Sequence, residues 1–521
     1  MSSKGPVGQL APQIHKPALF PKTVKRPCHM ADPICRSIVR TSGEVEPFNL
    51  TSYFVDRHIA EGRGSRTAIV YEGARSSYAE VAALVNQAGN ALRRAGVERG
   101  DRVLIVLPDS PEFVAAYFGA IKIGAVAVPT SIALRPADYS YLAEESQAKI
   151  VLRQTGDLPY EHEPPELDCA ETSADDPAFW LWTSGSTGPP KAAVHRHHDW
   201  LTVCEGYARG VLGIQPGDVT FSSAKLFHAY GLGNGLMFPF YAGATTVLYP
   251  GKPQAGAILA RAHEYRPTLF FAVPTHYAAI LHETDTANPY DLSSVRLGIS
   301  AAEPLPAEIV RRWRQRFGFE VLDGIGSTEV LHIYISNRPG SVRPGSTGLP
   351  VPGYQVRITD ESGRELPAGE TGDLWVRGAS NATHYWNRPE LTAARMRDGW
   401  FFSGDKYRAD ADGYYWYAGR SDDMFRVSGE WVSPIEVEST LIEHPAVLEA
   451  AVVARLGENG LPAACAFVTL KQAGAACDAL ADELRRFIGE RLTGYKHPRR
   501  IEFLDDLPKT ATGKVQRYKL R

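Results

Sequence analysis

The sequence predicts an α/β fold: a parallel sheet covered by helices on both faces, in a chain that divides into a large N-terminal part and a smaller C-terminal one. Three observations carry this expectation. Residues 103–107 are unbroken apolar, a helical stretch follows from Pro111 to Gly124, and residues 125–128 are again wholly apolar. A strand that is apolar at every position has no face for water, so strand, helix and strand in that order describe a buried parallel sheet. The rhythm then recurs, with a strand over 268–273, a helix over 275–282 and a strand over 295–299. Finally, 521 residues exceed what one hydrophobic core usually serves.

After Gly419-Arg420-Ser421-Asp422-Asp423 the elements shorten, to a helix over 433–443, strands over 447–453 and 464–470, and an amphipathic helix over 478–492. A charged, small-residue junction reads equally as a hinge or an exposed turn. The boundary is placed at Asp422, giving 46–421 and 422–521. Residues 1–45 are rich in Pro and Lys, with no acidic residue before Asp32, and are expected to be a disordered leader. They lack the apolar core of a secretory signal, and their prolines oppose an amphipathic transit helix.

Bulk properties exclude several classes. The 56 basic and 59 acidic residues leave a net charge of −3, with 44% hydrophobic and 22% charged residues, an ordinary globular balance that points to neither nucleic acid nor membrane. No apolar stretch is long enough to span a bilayer. Cys28, Cys35, Cys169, Cys204, Cys465 and Cys477 are scattered without C-x-x-C spacing, which argues against structural zinc or a disulfide framework. A cytoplasmic enzyme is expected.

The most informative stretch is Thr183-Ser184-Gly185-Ser186-Thr187-Gly188-Pro189-Pro190-Lys191, which leaves the apolar run Phe179-Trp180-Leu181-Trp182. Hydroxyls and glycines packed this densely let backbone N–H groups converge on an anion while the side chains add donors. The G-x-x-x-x-G-K-[ST] spacing of a P-loop is absent, and the plain alternative is a flexible linker. Further on, Asp323-Gly324-Ile325-Gly326-Ser327-Thr328-Glu329 sets a hydroxyl beside a carboxylate. Thr328 can donate to phosphate and Glu329 can hold Mg²⁺, although a helix cap has the same composition. In Gly404-Asp405 an acid sits in a turn flanked by aromatics, and a carboxylate accepts two parallel hydrogen bonds as vicinal ribose hydroxyls require; a capping aspartate is the alternative. Ser300-Ala301-Ala302-Glu303-Pro304 follows a strand, where small residues admit a flat ring. Lys514, in Lys509-Thr510-Ala511-Thr512-Gly513-Lys514, would by itself be a solvated tail residue. The histidines His195, His197 and His198 are read as the end of a strand and the start of a helix, with no accompanying metal ligands.

Taken together, these stretches resemble the acyl-adenylate-forming superfamily of acyl-CoA synthetases, luciferases and peptide-synthetase adenylation domains, over nearly the whole chain from Phe48 to Arg521. The resemblance implies a large N-terminal domain of layered sheets and helices with a small mobile α+β lid. It implies ATP and AMP contacts from Thr183, Ser184, Gly185, Ser186, Thr187, Gly188, Lys191, Ala302, Glu303, Pro304, Asp323, Gly324, Ile325, Asp405 and Arg420. Lys514, Thr328 and Glu329 are implied to be catalytic, with Glu329 also the metal ligand and Asp422 the hinge. The stretches Lys225 to Gly235, Val330-Leu331-His332-Ile333 and Tyr495-Lys496-His497-Pro498 look like the benzoate-CoA ligase group. That likeness implies a short aryl pocket of His228, Ala229, Tyr230, Ala301, Gly326, Leu331, His332 and Ile333, for which core packing is the alternative. It implies coenzyme A contacts from Arg426, Ser428 and Gly429. His228 stands where close benzoate-CoA ligases have phenylalanine, and Arg426 where they have lysine.

The expected function is therefore ATP-dependent conversion of benzoate, or a 2-amino- or hydroxybenzoate, through aryl-AMP to aryl-CoA, with Mg²⁺ as cofactor. A homodimer is compatible with this. An adenylation enzyme loading a carrier-protein thiol and a non-catalytic binder of aryl ligand and nucleotide are the rival readings.

Overall fold

A computed structural model describes residues 47–183, 190–284, 289–421, 423–427, 430–456, 462–472, 474–509 and 515–521, with only the backbone of Glu430 and Trp431. The described residues fall within one unit, Val45–Arg521, set apart from Met1–Glu44. Met1–Glu44, like the expected leader, lies outside the described residues.

The strand-helix-strand reading holds, with bounds shifted by at most two residues. Arg102–Ile105 and Val126–Pro129 are parallel strands joined through the helix Pro111–Lys122. That helix is buried along nearly all its length, starts at Pro111 and is capped by Ser110, whose hydroxyl accepts the Phe113 N–H at 3.3 Å. These strands sit in a six-stranded sheet that also holds Pro177–Thr183 and Lys191–Arg196. A second, nine-stranded sheet carries Val219–Ser222, Leu269–Ala272, Leu297–Ser300 and Val321–Gly326 as consecutive parallel neighbours. The helices Pro274–Glu283 and Ala307–Phe317 pack on it, with Tyr277 and Trp313 wholly buried. The largest core cluster draws on both sheets, with Phe179 from the first, Phe271 and Tyr334 from the second, and Phe118 and Phe238 from helices, all removed from water. Burying a side chain of this size contributes about 1.5–3 kcal/mol, so the layers are held mainly by this cluster.

One expectation is corrected here. Asp405 does not lie in a turn: it is in the middle of the long strand Trp400–Ala409 of a third, five-stranded sheet. The turn-like composition comes from Gly404, which takes φ +76° inside the strand. A side chain there would meet the Arg395 and Arg420 guanidinium groups at 2.8 and 3.1 Å, which could shift aside, so it is the positive φ that favours glycine.

Beyond Arg420 the small domain has its own core. The strands Val447–Leu456, Pro462–Leu470 and Arg500–Phe503 form a three-stranded sheet, covered by the helices Pro434–Ile442 and Asp478–Gly489. Val437, Leu441, Val452, Ala466, Leu484 and Ile488 fill the space between. The last helix ends three residues earlier than its apolar periodicity reached. Among the described residues no helix is long and apolar enough to cross a membrane.

Candidate active site

The hydroxyl-glycine loop joins two antiparallel strands. Thr183 ends one and pairs with Lys191, which begins the next. Ser184, Gly185, Ser186, Thr187 and Gly188 lie outside the described residues. Lys191 is half-buried, and its ammonium lies 5.1 Å from the centroid of the Tyr385 ring. Burial pulls its pKa down and the Glu329 carboxylate works against that shift. Tyr385 reaches this position because the short strand His384–Tyr385 pairs with Val194 and Ala193 of the same hairpin.

Glu329 comes from the opposite side. The strand Val321–Gly326 ends in a single tight turn, Thr328–Val330, capped by Ser327, whose hydroxyl accepts the Val330 N–H at 3.3 Å. Glu329 is buried, and its Oε1 accepts the Tyr385 hydroxyl at 2.6 Å. Burial and the adjacent Glu329 charge push the Tyr385 phenol far up, so it stays a donor. Leu331, directly after the turn, has φ +78° and ψ −43°, a conformation that L-residues rarely adopt.

Asp405 and Arg420 face each other across neighbouring strands. Arg420 Nη1 lies 3.1 Å from Asp405 Oδ1 and 3.1 Å from the Ser403 carbonyl oxygen. Arg395 and Arg420 both act electrostatically on Lys191, so the three cations share one region with the carboxylates of Glu329 and Asp405. That arrangement can hold a polyphosphate and a diol together.

The segment after the strand Leu297–Ser300 has Ala301 buried, Ala302 exposed at φ +78°, and Glu303 accepting from Thr275 Oγ1 at 2.7 Å; Pro304 is half-buried. Asp323 sits in the adjacent strand with Gly324 and Ile325, buried, and its Oδ1 has no partner among the described atoms. Burial pushes its carboxyl well above the ordinary 3.8, more than the Gly324 and Leu305 backbone contacts oppose.

Of the aryl-pocket candidates, His228, Ala229, Tyr230 and Gly326 are half-buried, whereas Ala301, Leu331, His332 and Ile333 are almost wholly enclosed. Tyr230 and His332 meet, their ring centroids 5.6 Å apart. A side chain at Gly326 would meet the His332 carbonyl oxygen at 2.6 Å. The Tyr230 hydroxyl points at the Ile299 and Ala272 carbonyl oxygens, at 3.0 and 3.2 Å, which anchors its ring to the ends of two parallel strands. His332 lies within a ring of Trp200, Tyr207, Tyr230 and Phe238, and burial lowers its pKa to about 3. It is neutral there, and its Nδ1 has no partner among the described atoms. Leu331 and Ile333 belong to the main apolar core.

Lys514, Asp422, Ser428 and Gly429 lie outside the described residues. Arg426 is exposed on the strand Phe425–Val427, opposite Trp431. Sequence reasoning missed Tyr385 and Arg395, which reach the site from the neighbouring His384–Tyr385 strand and Pro389–Arg395 helix. The only signal available was the aromatic pair Tyr385-Trp386 before Asn387-Arg388-Pro389, and nothing local ties it to Glu329, 56 residues away.

Comparison with known proteins gives a concordant picture. Over 507 residues the chain is 45% identical to a benzoate–CoA ligase of Thauera aromatica, covering 91% of this chain and 96% of that protein. The solved structure of the anthranilate CoA ligase AuaEII in complex with anthranoyl-AMP superposes with a TM-score of 0.88 at 39% identity, covering 93% of this chain and 98% of the other. A benzoate CoA ligase from Burkholderia xenovorans LB400 gives 0.84 at 43% identity, covering 91% and 100%. Residues 56–386 match the model of the AMP-binding enzymes and residues 436–514 that of the AMP-binding enzyme C-terminal domain, so the chain, in its large domain and its small one, belongs to the AMP-binding enzyme family.

Proposed function

We propose that this protein is an ATP-dependent aryl-CoA ligase that converts benzoate, or a 2-amino- or hydroxybenzoate, to its coenzyme A thioester. The observation that carries the reading is the extent of the likeness to aryl-CoA ligases: it runs through both domains, with 45% identity to a ligase for benzoate. The geometry supports it. A carboxylate is a poor acylating agent, so in the first step its oxygen attacks the α-phosphorus of ATP and the bond to pyrophosphate breaks. Lys191, Arg395 and Arg420 supply positive charge where negative charge gathers on the phosphates. Asp405 offers a carboxylate to the ribose diol. Asp323 Oδ1, buried and without a partner, suits an adenine amino group.

Glu329 fits Mg²⁺. A hard cation favours a carboxylate oxygen, and among the described residues no three acidic, histidine or cysteine side chains converge as a cage, so the remaining ligands would come from phosphates and water. Mg²⁺ would neutralise phosphate charge there. The Tyr385 hydroxyl orients Glu329, leaving Oε2 for the metal.

In the second step the thiol sulfur of coenzyme A attacks the acyl carbon, AMP leaves and the thiol loses its proton. The reading assigns Lys514 to the first step, Gly429, Ser428 and Arg426 to the second, and a lid rotation at Asp422 to the change between them. It also keeps the cytoplasm, where ATP and coenzyme A are found, as the site of reaction. For the ring, the neutral His332 Nδ1 offers an acceptor in apolar surroundings. A site that hydrogen-bonds a ring substituent discriminates strongly against analogues lacking it, whereas apolar fit separates substrates by only about 1–3 kcal/mol per methylene.

Pyrophosphate release and thioester formation, measured with benzoate, 2-aminobenzoate, 4-hydroxybenzoate, cinnamate and octanoate, with and without coenzyme A, test the reading. The highest kcat/KM is expected among the benzoates. Preference for octanoate or cinnamate overturns the short pocket. Pyrophosphate release without thioester, rescued by a pantetheinylated carrier protein, would favour the carrier-loading alternative. Binding without any turnover would favour a non-catalytic protein.

A further inference from the structure

The two faces of the six-stranded sheet are covered differently. Phe179 turns into the main core, whereas its neighbour Trp180 points to the other side, into a separate apolar cluster with Leu104, Val126, Ala192 and Val194. The helix Pro136–Ser146 packs on this outer face through Leu142. Its last turn is tied down by two side chains: Trp386 Nε1 donates to the Glu145 carbonyl oxygen at 3.0 Å, and Arg102 Nε to that of Ser146 at 2.9 Å. Past that turn, at the ends where the strands Arg102–Ile105, Val126–Pro129 and Pro177–Thr183 begin, the face is left open as a cavity of about 230 Å³. The hydroxyl-glycine loop leaves the opposite end of Pro177–Thr183, about 20 Å away along the strand. The cavity is therefore separate from the nucleotide site.

Its lining is aromatic and charged. Trp180, Val194 and His384 are direct partners across three neighbouring strands, so their side chains share this face. Trp386, two residues after His384, joins them with its ring 4.4 Å from that of Trp180. The Arg102 guanidinium lies 6.0 Å and 5.7 Å from the two indole centroids. Among the described residues it pairs with no carboxylate, and its hydrogen bonds go to Gly100, Ser146 and Gln147. At the rim, Arg99 Nη2 lies 2.6 Å from Asp176 Oδ2. Burial lowers the pKa of His384 from the ordinary 6.5, so its ring is neutral at pH 7. Two guanidinium groups against one carboxylate then leave an excess of one positive charge. The Trp180 Nε1 is buried and has no partner among the described atoms, and such a donor is costly unless something accepts from it.

Each of these features limits what fits. An enclosed space of about 150 Å³ takes one benzene ring, and drug-sized ligands need about 300–1,000 Å³, so the volume matches a single substituted ring and is too small for a nucleotide. Flat indole walls favour an aromatic ring, the excess charge favours a monoanion, and the orphaned N–H favours an acceptor. An aromatic carboxylate meets all three conditions. We infer that this cavity is an accessory binding site for a monoanionic, single-ring aromatic acid, whose carboxylate is received by Trp180 Nε1 and the arginines while the indoles flank its ring. The inference goes beyond the ligase reading and does not depend on it. On that reading, the acid that is activated in one cleft is also held on the back of the strands that carry Thr183, Lys191 and Tyr385.

Benzoate is the probe, and its binding is measured by equilibrium dialysis with the active site blocked by a non-hydrolysable sulfamate analogue of benzoyl-AMP. One benzoate per chain should remain bound. Benzamide, which is neutral, and cyclohexanecarboxylate, which is not flat, should bind at least about tenfold more weakly, and AMP should not compete. Trp180→Phe keeps an aromatic ring, removes the orphaned donor and should weaken benzoate about tenfold. Arg99→Glu should weaken it by a similar factor, whereas Asp176→Asn, which increases the positive charge, should tighten it about threefold. No benzoate on the blocked protein overturns the inference, and the cavity then holds water only. Binding that none of the three substitutions moves, or equal binding of benzamide, overturns it as well. Should Trp180→Phe fail to fold, the opposite shifts expected of Arg99→Glu and Asp176→Asn, both at the rim, decide the matter. If no aryl acid releases pyrophosphate with the wild-type protein, the ligase reading fails, whereas benzoate binding that responds to these substitutions still reports on this site.

Discussion

Lowering the pH from 7 to 5 should remove about 3–4 kcal/mol of stability through two histidines that the fold keeps neutral. His58 Nδ1 accepts from Arg63 Nε at 3.0 Å while Nε2 donates to the Phe240 carbonyl, and His197 Nδ1 accepts the Leu50 N–H. Protonating either ring would set one N–H against another. Burial, ahead of the neighbouring charges, lowers both from the ordinary 6.5 to about 4. Between those two values the unfolded chain binds a proton at each site and the native protein does not. Stability therefore rises with pH across that window and is lost as pH falls through it. At pH 5 each ring contributes roughly 2 kcal/mol, against about 0.2 kcal/mol at pH 7, so the loss is about 1.8 kcal/mol per ring. The two rings share no partner, so the losses should add. Both lie in the large domain, so its unfolding transition in urea, followed by tryptophan fluorescence from pH 5 to 8, is the measurement. His58→Gln and His197→Gln should each reduce the pH slope by about one proton at its steepest. A variant that is destabilised at every pH with an unaltered slope would show that its ring is not held neutral.

Three other outcomes are expected. Asp323 is the reverse case: burial raises its carboxyl, so its stabilising protonated form is progressively lost as pH rises through the raised value, and Asp323→Asn should raise Tm at pH 8 while flattening the pH dependence; a lower Tm would contradict this. Tyr385→Phe keeps the ring beside Lys191 but removes the donor to Glu329, a bond to a charged group worth about 1.5–3 kcal/mol, so kcat/KM for ATP should fall about 10- to 100-fold; a change under about twofold would remove Tyr385 from the site. Lys514→Ala should abolish aryl-AMP formation and spare conversion of supplied aryl-AMP to thioester, and equal loss in both would contradict the division of labour between the two steps.

Much of this was legible because some signals are local. The apolar runs at 103–107 and 125–128 need no partner to be read as buried strands, and Ser110-Pro111 marks its helix start by itself. Asp405 and Arg420 were both read as nucleotide ligands. Their direct pairing was not, because the register that brings together two residues 15 apart in the chain depends on the bulge after Lys406. The histidine cluster shows the limit most clearly. Its placement at a strand end and a helix start was readable, but the contact of His195 with the Thr328 carbonyl oxygen, 133 residues away, was not. Tyr385 was invisible for the same reason. Leu331 and Ile333 matched a pocket pattern, yet they sit in the main core, where an apolar side chain serves packing whether or not a ligand lies beyond it.

The hydroxyl-glycine loop leads into the strand Lys191–Arg196, not into a helix. In nucleotide sites where such a loop opens a helix, the aligned peptides present a macrodipole worth about half a positive charge to the phosphates, fixed in strength and independent of any side chain. Neighbouring strand dipoles largely cancel, so the strands that flank the loop add no comparable field. The attraction for polyphosphate falls to discrete ionic groups, Lys191, Arg395 and Arg420, whose influence is screened by salt wherever water reaches them. Nucleotide affinity should thus weaken with ionic strength more steeply than where a helix end provides the charge. It should also be alterable one side chain at a time.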